Sequence, residues 1–218
     1  MSKSFLVLVC FCWGTSTGSA QTQPLPLTTV PSVDVARYMG TWHEVAKFPN
    51  WFQKKCVSST QAIYSLQANG QVQVLNRCKT DQGEWSEALG AARQIGGPTS
   101  PRLQVRFAPE WLSFIPLLWG DYWIIELDPH YQWVVVSEPK RAYLWILSRT
   151  PQMPEATLQQ LRKQLTAAGF DLSRLELSPP RTPSVCVQAI GTQTKDGSSN
   201  RACSGVEDRD GFAVQVSL

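Results

Sequence analysis

Six cysteines, two histidines and one glutamate set in an apolar segment are the residues of this 218-residue chain with the most obvious chemical potential. His43 follows a tryptophan in an alternating segment and His130 sits in an Asp-Pro-His turn, so their spacing builds neither a metal site nor a nucleophile-base pair. No G-x-S-x-G, H-E-x-x-H or phosphate-cradling glycine loop is present. A thiol nucleophile would need a cysteine left out of a disulfide. The expectation is a binding protein rather than an enzyme, with no metal and no cofactor.

The cysteines report a compartment. Residues 1–20 carry Lys3, an apolar run from Phe5 to Trp13 and the small residues Gly18, Ser19 and Ala20, which is the pattern of a secretory signal peptide cleaved after Ala20. Cys10 follows Val9 and Cys12 follows Phe11, not the small residue that precedes a lipid-modified cysteine, so lipid anchoring is not expected. The location expected is secreted or periplasmic. Cys56, Cys78, Cys186 and Cys203 remain, enough for two disulfides in an oxidising compartment. Of the three possible pairings, Cys56 with Cys78 is preferred, because a hairpin turning at Asn69-Gly70 brings them together at its far end; that leaves Cys186 with Cys203.

The elements that must position these groups are mostly strands. Hydrophobic residues make up 43% of the chain and charged residues 17%, a balance that excludes a disordered polar chain and is too polar for a membrane bundle. A net charge of +3 without a basic run argues against a nucleic-acid partner. After a Pro- and Thr-rich extended arm (21–33), eight strands are predicted at 41–48, 57–66, 71–79, 84–94, 102–107, 121–127, 131–137 and 143–149. Short turns between them favour an antiparallel up-and-down meander, and eight strands can close into a barrel without exposed edges. A helix follows, opened by Pro154 and closed by Gly169, with Leu158, Leu161 and Leu165 forming a stripe that packs on the barrel's outside. Residues 175–177 add a short strand. The barrel and helix fill 34–178, and 179–218 reads as a mostly disordered tail.

Within this frame Gly40-Thr41-Trp42 opens the first strand, Asp128 and Tyr131 flank the turn after the sixth, and Arg149 ends the eighth. An indole on the first strand with a guanidinium laid on it from the last would plug one end of the barrel. In order and spacing the three motifs resemble the conserved regions of the lipocalin family. GTWHEVAKFPNWFQ, YSLQANGQVQVLNR and YLWILSRTP are similar to its branch of bacterial lipocalin Blc and apolipoprotein D. The resemblance implies a lumen that binds a small hydrophobic molecule such as a fatty acid or lysophospholipid, which the protein transports or sequesters, with a possible part in membrane lipid maintenance or stress. It also implies that Tyr64 and Trp145 contact ligand, and it keeps a Cys56 to Cys186 disulfide open. A pigment or haem carrier and a lumen enzyme are the rival readings; visible absorbance and a free thiol would distinguish them.

Alternation proposes the rest of the lumen. From Arg149, Leu147, Trp145 and Tyr143 share a face; from Trp42, Glu44, Ala46 and Phe48 turn inward; Val72, Val74 and Asn76 complete the side beyond Tyr64. Glu44 has two readings: a structural carboxylate bonded to Tyr64 or another base group, or a partner for a cationic or hydroxyl head group. Loops 47–55 and 108–119 concentrate Trp51, Phe52, Trp111 and Phe114. These form either a rim that docks on a membrane or a protein or, for the second loop, a flap tucked back over the barrel.

Overall fold

The computed structural model describes residues 26–179. The proposed signal peptide and its cleavage site, the first part of the arm, Cys186, Cys203 and nearly all of the tail lie outside the described residues. Within them the chain forms β1 (Gly40–Lys47), β2 (Ser58–Leu66), β3 (Val72–Lys79), β4 (Trp85–Gln94), β5 (Arg102–Arg106), β6 (Gly120–Leu127), β7 (Trp133–Ser137) and β8 (Leu144–Ser148). Each strand pairs antiparallel with its neighbour, and β1 pairs with both β2 and β8, closing the ring. A two-residue β9 (Glu176–Leu177) joins the late part of β1.

One turn of helix, α1 (Val35–Tyr38), precedes β1, and Asp34 caps it by accepting from the Arg37 amide. It closes one end of the barrel. The longer helix α2 (Glu155–Ala167) starts after Pro154 and is followed by Gly169 at φ +83°, a conformation in which glycine avoids the Cβ penalty. Leu158, Leu161 and Leu165 bury themselves against Ile125, Val135, Leu144, Ile146 and Phe170. Each such leucine contributes roughly 1.5–3 kcal/mol on burial. A second cluster fills the lower lumen with Trp42, Tyr64, Val72, Val74, Ala92, Leu103, Tyr122, Ile124, Val134, Val136 and Leu147. Strands β6 to β8 therefore present apolar side chains to both clusters, as their unbroken hydrophobic runs require.

The register corrects two lumen assignments. β1 carries a bulge between Glu44 and Ala46: Glu44 stands opposite Leu147, and Ala46 opposite Ile146. An extra residue in one strand shifts every later side chain to the other face. Ala46 and Phe48 consequently lie in the outer cluster under α2, not in the lumen.

Candidate functional site

The closed end is built from the plug pair. The guanidinium of Arg149 lies 3.8 Å from the centre of the Trp42 ring. Its nitrogens donate to the carbonyls of Thr41 (3.0 Å), Arg37 (2.8 Å), Tyr38 (3.3 Å) and Tyr131 (3.3 Å), while Trp42 Nε1 donates to the Tyr38 carbonyl (2.8 Å). Stacking and donation satisfy a cation that covers the bottom of an apolar core. Gly40 is needed beside it: its φ is +94°, and a Cβ there would sit 3.3 Å from Arg149 Nη1. The Asp128 turn serves the same end. Asp128 Oδ2 accepts from the amides of His130 and Gln132, and Tyr131 Oη accepts from the Asp34 amide that begins α1.

Above the plug stands a bar of tyrosines. Tyr64 on β2 and Tyr122 on β6 bring their hydroxyl oxygens to 2.8 Å, and Tyr38 from α1 reaches Tyr122 at 2.7 Å. Burial raises all three phenols, Tyr64 to about 12, so each keeps its proton at neutral pH. Tyr122 follows from the same alternation that makes Ile124 face inward, whereas Tyr38 lies before the first strand, where no alternation reaches it.

Toward the mouth the barrel interior is bordered by β3 and β4. Val72, Val74 and Asn76 share one face of β3, with the first two buried and Asn76 only half-buried. Their partners on β4 are Ala92, Gly90 and Ala88, all small, and Ala88 is exposed. Gly90 has no room for a side chain: a Cβ would lie 2.7 Å from a Phe107 ring carbon and 2.6 Å from the Arg106 carbonyl oxygen. Along β3 and β4 the interior-facing residues pass from buried Val72, Val74 and Ala92 near the closed end to half-buried Asn76 and exposed Ala88 toward the mouth.

Across from that wall Trp145 packs half-buried against the lumen cluster. Tyr143 stacks on it, with ring centres 5.8 Å apart, and Phe52 comes to 6.2 Å from Trp145 and 5.8 Å from Tyr143. Gln53 fastens the Phe52 loop in place. Its Oε1 accepts from Trp145 Nε1 (3.1 Å) and from Asn50 Nδ2, and its Nε2 donates to Glu44 Oε2 (2.7 Å). Ser178 Oγ donates to the other oxygen of Glu44 at 2.6 Å. Glu44 is thus hydrogen-bonded as expected of a buried carboxylate, but its partners are Gln53 and Ser178, not Tyr64. Burial raises its carboxyl above 4.5, against the lowering by those two donors and by Lys47. Gln53 lies in a loop, where no periodicity points to it.

The mouth loops divide. Trp51, Trp111 and Phe114 are 73%, 73% and 75% exposed and Leu117 is 92% exposed, while Trp119 folds back onto the barrel wall with Arg93 4.0 Å from its ring centre. A disulfide joins Cys56 and Cys78 where β2 begins and β3 ends, with Cα atoms 5.4 Å apart. Among the described residues no group of three or more His, Cys, Asp or Glu is arranged to hold a metal.

Residues 33–180 match the family model described as a lipocalin-like domain. The chain is 39% identical over 160 residues to temperature-induced lipocalin-1 of Arabidopsis thaliana, covering 72% of this chain and 85% of that protein. It is 37% identical over 174 residues to the outer membrane lipoprotein Blc of Escherichia coli K12, covering 79% and 89%. Apolipoprotein D of Mus musculus is 33% identical over 149 residues, covering 65% and 74%. Among solved structures, insecticyanin from the tobacco hornworm Manduca sexta matches with a TM-score of 0.55 at 15% identity, over 70% of this chain and 84% of that one, a likeness of fold alone.

Proposed function

The chain belongs to the lipocalin family, whose members bind small hydrophobic ligands, and from that premise we propose that it is an extracytoplasmic carrier of lipid. It takes a fatty acid, lysophospholipid or similar lipid into the barrel and moves it between membranes or sequesters it, without chemical conversion. The observation that carries this reading is the gradient along the lumen: buried Val72, Val74 and Ala92 below, exposed Ala88 and half-buried Asn76 and Trp145 above. An acyl chain entering there hides apolar surface worth roughly 25 cal/mol per Å². The Cys56–Cys78 disulfide supports an oxidising compartment, and the relative Blc is named as an outer membrane lipoprotein. The exposed rim of Trp51, Phe52, Trp111 and Phe114 suits transient contact with a lipid surface during exchange.

Tryptophan fluorescence tests the reading. Titration with a long-chain fatty acid or lysophosphatidylcholine saturates with a change in emission, and that change shrinks several-fold in Trp145→Ala. Identical titrations in wild type and variant would remove Trp145 from the lumen site, and no saturable change in either would count against lipid binding.

A further inference from the structure

The tyrosine bar has more hydrogen-bond donors than it uses. Tyr64 and Tyr122 come from β2 and β6, four strands apart in an eight-stranded ring and so on opposite walls. Hydroxyls from opposite walls that meet at 2.8 Å must meet near the barrel axis, within the buried interior cluster. With Tyr38, three hydroxyls bring three hydrogens to two hydrogen bonds. Whichever way the chain is oriented, one hydrogen is left over, and no nitrogen or oxygen among the described residues accepts it. Tyr64 is 5% and Tyr122 9% exposed, so this donor is nearly removed from water. A buried donor without an acceptor destabilises the fold, and an arriving acceptor would recover that loss.

We propose that this hydroxyl junction is a subsite for a neutral oxygen acceptor, a carbonyl or hydroxyl carried on the leading end of the cargo. The proposal rests on the lumen-carrier reading and sharpens it. Cargo with a plain hydrocarbon end would leave the donor unmatched, while an oxygenated lipid would match it. A carboxylate is the poorer fit. The hydroxyls share an apolar cluster with Val72, Val74, Leu103 and Ile124, and the guanidinium of Arg149 has its nitrogens committed to four backbone carbonyls. The raised pKa values keep the hydroxyls protonated and able to donate.

Methyl nonyl ketone and dodecane, equal in heavy-atom number, test the subsite by displacing phenylnaphthylamine from the full-length protein. The ketone binds wild type at least about fivefold more tightly than its water-to-hydrocarbon transfer relative to dodecane accounts for. The excess falls toward unity in Tyr64→Phe/Tyr122→Phe. Infrared spectroscopy of the wild-type complex supplies a readout independent of the variant's folding: the bound carbonyl stretch lies below its position in hexane. A stretch at the hexane position, or no excess preference in wild type, overturns the subsite while dye displacement still supports a lumen carrier. If neither compound displaces the dye, the lumen reading fails and the subsite fails with it.

Discussion

Glu44 is a carboxyl nearly removed from water, held by two neutral donors, with Lys47 as the nearby cation and Glu176 sharing that cation through a 2.8 Å ion pair. Desolvation dominates, so the folded state holds the Glu44 proton more tightly than the unfolded chain does. Its contribution to stability is therefore fully present below the unfolded value near 4.5 and is lost as pH rises through the raised folded value. Urea unfolding of wild type and Glu44→Gln as a function of pH checks the sign. The variant should gain stability relative to wild type as pH rises from about 4.5, and parallel curves would contradict this account. A side chain's position is legible in the sequence where it obeys a strand's alternation or a motif's order. Trp42 and Arg149 stack on one another at the closed end, and Leu147, Val72 and Val74 lie in the interior cluster. Tyr38 and Gln53 are not legible in this way, because a turn of helix and a loop carry no period to extrapolate, and Tyr122 sits on β6, to which alternation from Trp42 or Arg149 assigns no inward face.

At the scale of elements, the eight strands and the helix were legible because turn residues and hydrophobic periods mark them independently. Register was less so. The bulge between Glu44 and Ala46 has no marker in the sequence, since no Gly, Asn or Pro stands there; it places Ala46 and Phe48 among the helix contacts and not in the lumen lining. The hairpin of β2 and β3 argues for joining Cys56 to Cys78, and the bond lies at the end of that hairpin nearest the mouth. Closing a separation of 22 residues restricts the unfolded chain by about 3 kcal/mol. Cys56→Ser/Cys78→Ser should lower the unfolding free energy by about that amount in urea. An unchanged midpoint would assign the bond no role in global stability.

For the whole molecule, the two ends of the barrel do opposite things. The closed end is sealed by a stacked cation, its backbone bonds and a layer of tyrosines, and the open end exposes Trp51, Trp111, Phe114 and Leu117. A carrier that exchanges lipid through its mouth gains from a rim that enters a bilayer surface. Replacing Trp51, Trp111 and Phe114 with serine should weaken cosedimentation with phosphatidylcholine vesicles by about tenfold or more while leaving lumen titrations intact. Equal cosedimentation would remove the rim from lipid exchange. The central claim is that the barrel carries lipid in use, and native mass spectrometry of the protein purified from its own host addresses it most directly. The account predicts a single lipid-sized increment on the protein mass that is lost on organic extraction and recovered in the extract. A protein that flies at its bare mass, with no lipid in the extract, would contradict it.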